Sequence, residues 1–87
     1  MPYINKSRRE ELESHIAALT ADSQLSDGEI NYIITSIISR LYPPTTYSTL
    51  NSAIGVLECI KQEYYRRIVS KYEDKAIERN GDIYSSS

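Results

Sequence analysis

The chain is expected to be all-α: two short helices packed on one long C-terminal helix, assembling as a helical homo-oligomer. Three observations lead there. Apolar residues recur at helical spacing in two separate stretches. Ser-x-x-Glu pairs stand before both. From Thr46 to Arg79 the only residue that interrupts helix-forming composition is Gly55.

The first helix is placed at about 7–21. Ser7 and Glu10 have the spacing of a capping box, in which each side chain satisfies an amide at the helix start. Leu12, Ile16 and Leu19 form one narrow apolar stripe, and Glu10, Glu11 and Glu13 sit near the positive end of the helix dipole. The second helix, about 27–42, carries a second capping box at Ser26 and Glu29. Its Ile30, Ile33, Ile34, Ile37, Ile38 and Leu41 follow the pattern of a core-facing helix, with Ile34 and Ile38 as core candidates. Pro43-Pro44 stops it, because proline cannot continue the hydrogen-bond ladder. The third helix, about 47–79, is near 50 Å long at roughly 1.5 Å per residue and ends at Asn80-Gly81, a good C-terminal signal. Residues 80–87 are a tail. The short helices are each about half the length of the third, so they can cover only part of it. The remainder needs a partner, and a small Gly55 would permit close backbone contact.

With 87 residues, one domain spanning 1–87 is expected. The eight tyrosines, with no Phe and no Trp, suit half-wet sites and interfaces better than a dry core. Ten basic and twelve acidic residues argue against general nucleic-acid binding, which needs a strongly basic surface. A lone Cys59 allows no internal disulfide and suits a reducing compartment. No signal peptide is visible, and no run approaches the roughly 18 apolar residues of a membrane helix. The expected location is the cytoplasm.

Stepping 100° per residue from Leu50, Leu50, Ile54 and Leu57 share a face with Lys61, Tyr64, Tyr65, Ile68, Lys71, Tyr72, Lys75 and Arg79. Arg67 flanks this face and Arg66 points away from it. The face is aliphatic in its first half and Tyr/Lys-rich in its second. In one reading Lys61 and Lys71 snorkel over the tyrosine rings while Glu58 and Glu63 neutralise their neighbours. In the other, Tyr64, Tyr65 and Tyr72 stack a flat group while Lys61, Arg67 and Lys71 hold phosphate oxygens. Lys6, Arg8 and Arg9, at the start of the first helix, are a possible second anion site.

No catalytic signature is present, and the chain is expected not to be an enzyme. Glu10, Glu11 and Glu13, with Glu58 and the acids of "YED" at 72–74, suggest the Mg²⁺ site of an all-helical nucleotide pyrophosphohydrolase. The spacing departs from E-E-x-x-E because position 14 is Ser. One Cys and one His, His15, cannot close a structural zinc site. There is no phosphate-cradling glycine loop, "SDGE" at 26–29 is too short for a calcium loop, and Cys59 lacks an activating neighbour. No cofactor and no metal are expected.

"MPYI", "GEINYIIT", "AIGVLECIKQEYYRR" and "YEDKAIERNGDIY" occur in that order along nearly the whole chain. Together they resemble a family of small uncharacterised proteins from tailed phages and prophages. Members often read "GELNY" and "PYE", where this chain has Ile30 and Lys71. The resemblance implies a phage accessory gene acting in the host cytoplasm, with no catalytic residues to carry over. By analogy with small phage proteins that inactivate host components, the leading expectation is an anti-defence sponge that sequesters a small phosphorylated (cyclic) nucleotide immune signal. The alternative is an inhibitor or adaptor that binds a host protein; a nucleotide-metabolism enzyme ranks third.

Overall fold

The computed structural model describes residues 4–84. Their regular structure is helical throughout: α1 (Lys6–Leu19), α2 (Asp27–Leu41), α3 (Tyr47–Tyr64), a π-helical turn (Tyr65–Val69) and α4 (Ser70–Asn80). The chain divides into two units, Met1–Leu41 and Tyr42–Ser87.

In the first unit, α1 is capped by Asn5 and not by Ser7. Asn5 is extended (φ −66°, ψ 164°). Its side-chain oxygen accepts from the Arg8 amide at 3.0 Å and from the Ser7 hydroxyl at 2.9 Å. Once Asn5 takes that amide, Ser7 falls inside the first turn and Glu10 loses its capping role. The helix stops at Leu19, two residues short of expectation. There the Thr20 amide (3.0 Å) and hydroxyl (2.8 Å) both donate to the Ile16 carbonyl. The Asp22 carboxylate then accepts from the Gln24 amide at 2.9 Å, a local turn that competes with helix.

The capping box of α2 is present in both directions. The Ser26 amide donates to Glu29 Oε1 at 2.9 Å, and the Glu29 amide donates to Ser26 Oγ at 3.2 Å. The Ser26 amide, and after it the Ser26 hydroxyl, hold the Glu29 carboxyl below the usual carboxylate range. Ile33, Ile37 and Ile38 are half-buried. Ile34, expected in the core, is 47% exposed: its flank of the isoleucine row lines a surface groove.

In the second unit, Thr46 caps α3, accepting from the Thr49 amide at 3.2 Å. The backbone stays helical through the π turn into α4, since Tyr65 and Ser70 both hold right-handed helical angles. The expected termination is found: Gly81, at φ 85°, donates its amide to the Ile77 carbonyl at 2.8 Å. The positive φ there is what requires glycine. Among the described residues only Ala53 is buried, at 8% exposure. Leu57, Val69 and Ala76 are half-buried.

The π turn was not foreseen. The Ser70 amide donates to the Tyr65 carbonyl, an i to i+5 bond. Such a turn holds one residue more than the α turn it replaces, so every later residue is set back by one helical step, about 100°.

Candidate functional site

That offset rearranges the Tyr/Lys face. In an unbroken α-helix, Lys71 and Tyr72 would stand beside Tyr64. With the extra residue, Lys71 takes the direction of position 70, about 160° from the Leu50 line, and Lys75 lies about 120° away. Lys61, Tyr64 and Tyr72 remain within about 60° of that line. Tyr64 and Tyr72 are 61% and 68% exposed. Val69 and Ala76 swing onto the line in place of the lysines. Glu73 moves to the side of Tyr65, where its carboxylate, by hydrogen bond and by charge, raises the Tyr65 phenol pKa.

Three cations of this stretch already have partners. Lys61 Nζ lies 3.5 Å from Glu58 Oε2, and Gln62 donates to Glu58 Oε1 at 3.0 Å. The Gln62 bond, with the Lys61 charge second, keeps the Glu58 carboxyl below its ordinary range. Glu63 takes both arginines: Arg66 Nη2 on Oε2 at 2.9 Å and Arg67 Nη1 on Oε1 at 3.2 Å. Arg66 was expected to point away. It lies three residues after Glu63 and Arg67 four, the two spacings that put helix side chains on one side. Lys71 has no carboxylate within 4.0 Å among the described residues. A phosphate on this face would therefore meet two carboxylates beside three paired cations, with Lys71 standing apart.

In the N-terminal cluster of Lys6, Arg8 and Arg9, Arg8 is held by Glu11 at 2.7 Å. One of the first-turn amides, that of Arg8, is taken by Asn5. Among the described residues no group of three acids, histidines or cysteines could hold a metal ion, so Glu10, Glu11, Glu13, Glu58, Glu73 and Asp74 are not gathered into such a site. Cys59 is exposed.

The first unit holds a feature the sequence did not reveal: a groove of about 400 Å³ where the end of α1 and the connection meet α2. Leu19, Leu25, Ile30, Ile33, Ile34 and Ile37 line it, with Thr20, Ser23 and Asp22. Asp22 is its one ionisable side chain. The isoleucine row was legible in the sequence; that part of it faces open space was not.

Among the described residues no helix is long and apolar enough to cross a membrane. No curated protein matches the chain, and no solved structure matches it. The profile of a domain of unknown function, DUF6899, matches residues 1–83, and the chain belongs to that family.

Proposed function

We propose that this member of the DUF6899 family is a non-catalytic protein-binding module, an inhibitor or adaptor whose α1–α2 groove takes an apolar segment of a partner protein. The carrying observation is the groove itself, lined by six aliphatic side chains and one carboxylate. It offers no cation to a phosphate. Aliphatic walls reward aliphatic occupants: Leu19, Ile30 and Ile34 are about half exposed, and covering each is worth on the order of 1 kcal/mol. The likeness of the chain to small tailed-phage proteins supports a partner from the host cell. Native mass spectrometry of the protein isolated from its producing cells tests the reading. A stoichiometric protein subunit should co-purify with the wild type and be lost in a folded Ile34→Glu variant, while Tyr64→Ala retains it. Retention of the partner by Ile34→Glu would overturn the assignment to the groove.

A second reading, sequestration of a small phosphorylated nucleotide, is favoured by the exposure of Tyr64 and Tyr72 beside Lys61. The pairing of Lys61, Arg66 and Arg67 with Glu58 and Glu63 weighs against it. Calorimetry against linear and cyclic nucleotides separates the two. The groove reading expects no heat. Binding that falls at least tenfold in Tyr64→Ala would put the nucleotide reading first.

A further inference from the structure

The π turn gives the long helix a symmetry that its sequence conceals. Counting from Tyr64 toward the N-terminus, the apolar residues Ile60, Leu57 and Ala53 follow at steps of four, three and four. Toward the C-terminus, Val69, Tyr72 and Ala76 follow at steps of five, three and four. The π turn absorbs one residue of the five. In helical terms both halves therefore step four, three, four, and the seam is the same read from either end.

A seam with three-four spacing is what knobs-into-holes pairing of helices requires. A seam symmetric about its middle is self-complementary under a two-fold axis, the condition for an isologous pair. We infer that the long helix pairs antiparallel with the same helix of a second copy, the two-fold axis passing at Tyr64. Tyr64 then faces its own mate. Ile60 lies level with the mate's position 69, Leu57 with position 72 and Ala53 with position 76. At the outer end the small Ala76 lets the backbones approach, while Ala53 is already covered within its own chain. The match ends one step further out, where Leu50 meets Arg79, whose stem covers it while its charge stays wet.

The seam leaves most of its large side chains open. Tyr64 and Tyr72 each have on the order of 100 Å² left to lose, and Ile60 is 59% exposed. With Ile68 and the half-buried Leu57 and Val69 the seam holds roughly 500–600 Å² of exposed surface per chain, against about 800 Å² per partner in a standard interface, so the side chains flanking it must contribute the rest. Of the charged side chains beside its centre, Lys61 is paired with Glu58 and Arg67 with Glu63. Gly55 lies well away from the seam.

The full chain tests this in two ways. Light scattering after size exclusion should give a mass of two chains of 10.0 kDa, or a higher even number, at micromolar concentration. Ile60→Glu should halve it. In a Cys59→Ser background, chains carrying Ile60→Cys mixed with chains carrying Val69→Cys should oxidise to a covalent dimer, whereas Ile60→Cys chains alone should not. A wild-type monomer overturns the inference. So does cross-linking of Ile60→Cys to itself, which marks parallel pairing.

Discussion

Gly55→Ala is expected to stabilise the protein. Gly55 lies mid-α3 and has no positive φ. A Cβ built there meets nothing within 4 Å. No clash opposes the substitution, so two favourable effects remain. The unfolded chain loses freedom that it no longer has to give up on folding, and alanine shields the helix backbone better than glycine. Together they are worth about 0.5–1 kcal/mol. Urea denaturation at fixed protein concentration reads this directly. With a slope near 1–1.5 kcal/mol/M for a chain this small, the midpoint should rise by roughly 0.3–1 M with the slope unchanged. A lower midpoint would mean that another backbone packs against Gly55, as the sequence alone suggested. It would also place the helix-pairing surface on the wrong side of the long helix.

Ser26→Ala should cost about 1 kcal/mol, the usual loss of a helix N-cap, measured by the same denaturation. The Glu29 carboxyl has a lowered pKa when folded, so its contribution is present above the ordinary carboxylate range and is lost as pH falls through the folded value. The wild-type urea midpoint should therefore drop more between pH 5 and pH 3 than that of Glu29→Gln. Ile34→Ala should cost no more than about 1.5 kcal/mol because the side chain is already half in water, while the half-buried Ile37→Ala should cost about 2 kcal/mol or more. Equal losses at the two positions would mean the groove is closed in solution.

Local signals in this chain were legible because local physics decides them. The reciprocal Ser26–Glu29 bonds, the Pro43-Pro44 stop and the glycine at position 81 each depend on a few neighbouring residues. The start of α1 was misread within the same physics. Asn5 and Ser7 can both cap, and spacing alone does not rank them. The site was less legible. Two of the cations expected to hold phosphate, Lys61 and Arg67, are held by Glu58 and Glu63 at i+3 and i+4 spacings that the sequence displays openly. The third, Lys71, was misplaced for a different reason. "YRRIV" contains no glycine, proline or other mark of a π turn, and a face computed at 100° per residue is wrong by a whole step beyond it.

That one-residue offset yields a test that separates an accommodated insertion from a local irregularity. If the π turn carries a residue beyond what the seam needs, deleting Arg66 lets an ordinary α turn take its place. Val69, Tyr72 and Ala76 then keep their phase relative to Leu57, Ile60 and Tyr64, and the assembled mass and helical content should stay at wild-type values. Deleting Gln62 from the regular part of α3 has no such slack. If the π turn persists, it sets everything beyond back by a further step, about 100°, separates the two halves of the seam and should leave monomers. Circular dichroism confirms folding in both variants, and light scattering reads assembly. A deletion of Arg66 that dissociates the protein as fully as the deletion of Gln62 would show that the π turn is not what aligns the seam. The self-complementary spacing about Tyr64 would then be a coincidence of sequence.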